Sequence, residues 1–199
     1  MSEIISREEL NSLSKVKGEV RGLGLKVISD FALKERGEEG PKLLEETMAK
    51  LGYPVKYKEV KRTDFYPLKR EVINFLVASR LFNFDDEKIR EIGQTLARAP
   101  MVPRLFLGYI ASFDRIIKDI PGMWRKAYTV GNLSLIDVSV KEKFAILHLE
   151  NFNIHPLYCQ LFISHFATLL QMVVRKKVSC KETKCTFRGD AYHEFVLKW

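Results

Sequence analysis

The run Leu133-Ser-Leu-Ile-Asp-Val-Ser-Val140, then Lys141-Glu-Lys143, then Phe144-Ala-Ile-Leu-His-Leu149 decides the reading of the fold. Two short segments rich in leucine, isoleucine and valine flank a polar tripeptide, the pattern of a β-hairpin. Pro156 then opens Leu157 to Val174, eighteen residues with no acid, lysine or arginine. Its polar residues Gln160, Ser164, Thr168 and Gln171 form one narrow helical stripe, and its length is short for a bilayer. The segment therefore reads as a helix buried on a sheet, with no membrane span. Arg175 to Lys181 and Tyr192 to Trp199 supply a third and a fourth strand.

Upstream the period changes from two to about 3.6. Ser6-Arg7-Glu8-Glu9 has capping-box spacing and starts a helix over 7–14. Apolar faces predict further helices over 25–36, 42–51, 68–82, 86–99 and 104–118, with a short one around Trp124 to Tyr128. Pro41 and Gly52 bracket the helix over 42–51, and Pro100 and Pro103 stop the one before 104–118. The three glycines between Lys17 and Gly24 lack dinucleotide spacing and precede no P-loop lysine, so they read as a turn or a short edge strand. Residues 53–66 read as a loop with a short extended piece. The expected class is α+β: a helical N-terminal two-thirds packed on a C-terminal antiparallel sheet of about four strands, with a long buried helix between the hairpin and the last two strands. One domain over 1–199 is expected, with a mainly helical part over 1–120 and an α+β part over 121–199.

A 46% apolar, 11% aromatic composition supplies a core for 199 residues. The net charge of +8 is dispersed among acids, which points to a solvated surface and away from nucleic acid. The one undiluted cluster is Arg175-Lys176-Lys177. The N-terminal residues mix acids and bases with no long apolar run, the pattern of a cytoplasmic chain without a secretory signal.

All three cysteines, Cys159, Cys180 and Cys185, fall in the last fifth of the chain, where His193 also lies. In a reducing compartment a Cys180–Cys185 disulfide is disfavoured, which favours metal ligation for the set, while Cys159 or His193 taken singly also reads as a core residue. On the last strand His193 shares its phase with Phe195, Leu197 and Trp199 and so faces inward. Cys159 lies off the polar stripe of its helix, and Cys180 and Cys185 flank the turn-like Lys181 to Lys184. Three thiols and an imidazole form a zinc-type set, Cys159, Cys180, Cys185 and His193, that pins a helix to a hairpin.

The stretch from Cys180 through Cys185, Gly189-Asp190 and His193 to Phe195 resembles the ending of 4-vinyl reductase domains. In that pattern Cys159 matches a helix cysteine, Cys180 an acidic position, Cys185 the central cysteine, and His193 stands for a final cysteine; the resemblance implies a metal site on these four. Over its length, through Lys17-Gly18, Trp124 to Tyr128 before Gly131, and the terminal tryptophan, the chain also resembles a myxobacterial-type family of unknown function. That resemblance implies the fold of heme-nitric-oxide-binding domains and of TRAPP vesicle-tethering subunits. The Tyr-x-Ser-x-Arg propionate signature of the heme domains is absent, which sets heme aside on sequence grounds despite His148, His155 and His165.

No acid pair or exposed thiol dyad points to catalysis; Asp190 reads as a turn residue and Gly189 as a positive-φ position. The expectation is a non-enzymatic module that binds or senses a small apolar or aromatic ligand, with Phe106, Tyr109, Phe113 and Trp124 lining the pocket, and signals through a separate protein. The alternatives are a scaffold subunit that dimerises through helices and, below it, a heme-based gas sensor.

Overall fold

The computed structural model describes residues 4–99 and 119–199, and the chain divides into two compact units, Met1–Ile92 and Gly93–Trp199. The expected helix over 104–118, with Phe106, Tyr109 and Phe113, lies outside the described residues.

The first unit is helical. In α1 (Arg7–Ser14), Ser6 Oγ accepts from the Glu9 amide at 3.2 Å, the cap that the spacing predicts. The Lys17 to Gly24 stretch contains β1 (Glu19–Arg21), which pairs antiparallel with β2 (Phe65–Pro67). Helices α2 (Leu23–Arg36), α3 (Glu39–Lys50) and α4 (Leu68–Leu81) pack on one another around Leu25, Phe31, Leu44, Met48, Val72 and Ile73. Gly40 sits where a Cβ would run into the Ala32 carbonyl of α2, so the α2–α3 approach depends on a residue without a side chain. Helix α5 (Asp86–Arg98) runs across the division, with Gly93 in the second unit, and is capped by Asp85, whose Oδ1 accepts from the Lys88 amide at 2.8 Å.

The second unit carries α6 (Ile120–Arg125), the hairpin β3 (Asn132–Ser139) and β4 (Phe144–Glu150), then α7 (Leu157–Val174), β5 (Ser179–Lys184), a 3₁₀ turn over Thr186–Arg188 and β6 (His193–Lys198). The sheet order is β3-β4-β6-β5, antiparallel throughout. The α+β class with a helical N-terminal region and a long helix between hairpin and last strands is therefore the observed one. Period-two alternation turns Leu147, Leu149, His193, Phe195 and Leu197 inward. Helix α7 covers that face, with Phe166 edge-on to Phe195 at 5.1 Å between centroids.

One expected boundary needs correction. The third strand begins at Ser179 rather than Arg175, because Arg175 takes a left-handed φ of 53° that ends α7, and the chain needs the next residues to turn back. Within the polar stripe of α7, Ser164 and Thr168 are buried, and the Ser164 hydroxyl bonds back to the Leu161 carbonyl at 2.9 Å. Of the described helices α7 alone has the length and hydropathy to cross a membrane, yet Tyr158, Leu161, Phe162 and Phe166 are buried in protein.

Candidate functional site

The first turn of α7, the end of β5, the 3₁₀ corner and the start of β6 meet at one point. Donor atoms of Cys159, Glu182, Cys185 and His193 all lie within 4.8 Å of one another. The two sulfurs, Cys159 Sγ and Cys185 Sγ, are 3.6 Å apart. His193 Nδ1 is 2.9 Å from Glu182 Oε1, and its Nε2 is 2.9 Å from Thr186 Oγ1. Glu182, Cys185 and His193 are buried and Cys159 is half-buried. The corner is held by a pair of bonds: the Cys185 amide donates to Asp190 Oδ2 at 2.8 Å and the Asp190 amide donates to the Cys185 carbonyl at 3.2 Å. Gly189 has φ of 94°, the left-handed value expected of it.

The expected donor set is thus changed in one member. Cys180 is not in the cluster; it pairs with Leu197, whereas Glu182 pairs with Phe195 one side-chain repeat along, about 6–7 Å closer to His193. A turn over Lys181 to Lys184, as the residue types suggest, leaves Glu182 out of the donor set; the strand Ser179–Lys184 brings it in. The available signal was strand phase: Cys180 and Glu182 are two apart and face the same side.

Electrostatics keep the Cys159 and Cys180 thiols protonated when nothing else is bound. Burial, and after it the Glu182 carboxylate, pushes the Cys159 thiol up, and the same causes raise Cys180 to about 12. A thiolate nucleophile is disfavoured here, while a cation able to displace protons would find two sulfurs, a carboxylate and an imidazole converging. Thr186 on the outer ring nitrogen of His193 fixes the ring plane, as outer partners of ligating imidazoles do.

The remaining histidines are dispersed. His148 stacks on Tyr192 at 4.1 Å and bonds Glu194 through Nε2 at 2.7 Å, on the outer face of the sheet. His155 Nδ1 accepts from the Leu157 amide. His165 lies on α7 with Nδ1 3.3 Å from the Gly93 carbonyl of α5, and the protein packed around it lowers its pKa to about 4, so the ring is neutral at neutral pH. With Nδ1–H given to a carbonyl, Nε2 carries the lone pair. Close approach of α5 and α7 is needed for this bond, because a Cβ on Gly93 would collide with the Leu161 carbonyl and Ser164 Oγ.

Trp124, the fourth expected pocket residue, is buried in an aromatic cluster: stacked on Tyr128 at 4.4 Å, edge-on to Phe152 and Phe162, its Nε1 donating to the Val130 carbonyl at 2.8 Å.

No family model and no curated protein matches the chain. Among solved structures, an H-NOX protein from S. oneidensis in its Fe(II)NO state aligns at TM-score 0.64 and 12% identity, covering 89% of this chain and 98% of that one. A structure titled for heme distortion in the H-NOX family aligns at TM-score 0.62 and 12% identity, covering 90% and 94%. A trafficking protein particle subunit from Naegleria fowleri, bound to palmitic acid, aligns at 0.47 and 14% identity, covering 64% of this chain and 90% of that one; no argument rests on it. These likenesses correct the cofactor expectation: the neighbours are titled by heme and its iron, so the comparison leads to heme, which the missing signature set aside, and not to zinc. Among the described side chains, His165 is a neutral imidazole with one nitrogen committed, a donor of the type heme iron takes. Heme finds no Tyr-x-Ser-x-Arg set for its propionates. The chain has the fold of the H-NOX domains.

Proposed function

We propose that the protein is a small-molecule sensing module, with heme and a diatomic gas as the ligand class. The observation that carries this reading is His165: a neutral ring, its Nδ1 bonded to the Gly93 carbonyl, on the long helix of the second unit in a fold shared with H-NOX structures solved for their heme chemistry. Heme would supply an iron able to take up a gas; His165 is the residue to hold it, and Gly93 orients the ring. A displacement of His165 would be felt by α5 directly, since the α5–α7 contact at Gly93 has no slack. A signal leaving through a separate protein follows from this role. Titration of the purified chain with hemin tests it: a Soret band saturating near one equivalent supports the reading, and free-hemin absorption throughout refutes it.

A second reading has its own observation, the four donors within 4.8 Å. We infer that Cys159, Glu182, Cys185 and His193 take up one divalent transition-metal ion that fastens the start of α7 to β5 and β6. Cobalt(II) serves as the probe because thiolate ligation gives it visible charge-transfer bands. Bands that vanish in Cys185→Ser and persist in Cys180→Ser support this donor set; the reverse order restores Cys180 and removes Glu182 from it.

A further inference from the structure

One end of the four-stranded sheet gathers positive charge that the sequence scatters over sixty residues. Register places Ser139, Phe144, Lys198 and Ser179 in one row across β3, β4, β6 and β5. The β3–β4 turn adds Lys141 and Lys143 to this row, and the link from α7 into β5 adds Arg175, Lys176 and Lys177. All six cations are exposed, and Glu142 is the one acid among these connections. Among the described residues no ion pair holds any of the six, in contrast to the other end of the sheet, where Lys184 meets Glu194 and Arg188 meets Glu182. The turn is a fixed platform: the Glu142 amide donates to Ser139 Oγ at 3.0 Å, and the Trp199 amide donates to the Lys143 carbonyl at 3.0 Å. At its tip Val140 is 63% exposed, an apolar side chain flanked by lysine.

We propose that this end of the sheet docks on an anionic lipid surface, the lysines and Arg175 lying over the headgroups while Val140 enters the interface. Unpaired cations gathered at one end of a sheet act together on a charged plane. The apolar tip favours lipid over nucleic acid: a bilayer interface stabilises a protruding valine, and a phosphate backbone has nothing to offer it.

Cosedimentation with phosphatidylcholine vesicles, with and without phosphatidylserine, tests the proposal on the full chain, with a single-stranded oligonucleotide in parallel. Binding to the phosphatidylserine vesicles alone is expected. It should weaken about a hundredfold in Lys141→Gln/Lys176→Gln/Lys177→Gln and roughly fivefold in Val140→Ser. Lys42→Gln/Lys50→Gln, on α3, should bind as the parent does; all these positions are exposed, and circular dichroism checks that each variant folds. The proposal is overturned by binding to neither vesicle, by equal binding to both, or by equal weakening in the α3 variant, which would reduce the effect to net charge. Tighter binding to the oligonucleotide, with Val140→Ser inert, would transfer the surface to nucleic acid.

Discussion

His165 sets a pH window on stability that one substitution should erase. An ordinary imidazole titrates near 6.5, and packing lowers His165 to about 4 in the folded chain. Between those values the unfolded chain binds a proton that the folded chain refuses, so stability is lost as pH falls from 6.5 and the loss is complete below 4. At pH 4.5 the linkage amounts to about 2.5 kcal/mol, taking 1.36 kcal/mol per pKa unit. His165→Leu removes the bond to the Gly93 carbonyl, about 1 kcal/mol at pH 7, and with it the proton-linked term. Urea denaturation of the heme-free chain and the variant at pH 7 and pH 4.5 gives the comparison, and taking the difference between the proteins at each pH cancels the carboxylates that titrate in both. The variant should be the less stable at pH 7 and the more stable at pH 4.5. An unchanged difference at the two pH values would refute the placement of a neutral, half-buried ring on α7.

Other consequences follow from the second unit. His193→Ala strips the Nδ1 partner from the buried Glu182 carboxylate and should cost about 2–4 kcal/mol in urea unfolding; a loss under half a kilocalorie would mean that Arg188 alone satisfies the acid. Gly93→Ala forces a methyl group into the Leu161 carbonyl and should lower stability by about 2 kcal/mol, with thermal unfolding as the readout and an unshifted Tm as the contrary result. Gly40→Ala should act similarly in the first unit, through the Ala32 carbonyl.

Long-period features were the most legible in the sequence. The hairpin, the eighteen-residue helix and the capped N-terminal helix follow from periodicity and end signals, which are local. The register of β5 was not legible, because it depends on Arg175 adopting a left-handed conformation that a non-glycine residue takes only when tertiary packing requires it. That shift also explains the cluster: three of its four members could be read from residue type, whereas Glu182 depends on strand phase, and phase depends on where the strand begins. His165 was visible as a mid-helix histidine, yet its partner, the Gly93 carbonyl, is 72 residues away and is a backbone group that no side-chain motif marks.

The sensing account is tested most directly by parallel hemin titrations of the wild-type chain, His165→Ala and His193→Ala. The account predicts a Soret band near one equivalent in the wild type, its loss in His165→Ala, and its retention in His193→Ala. A wild-type chain that leaves the spectrum of free hemin unchanged, or a His165→Ala variant that binds as the wild type does, would contradict it.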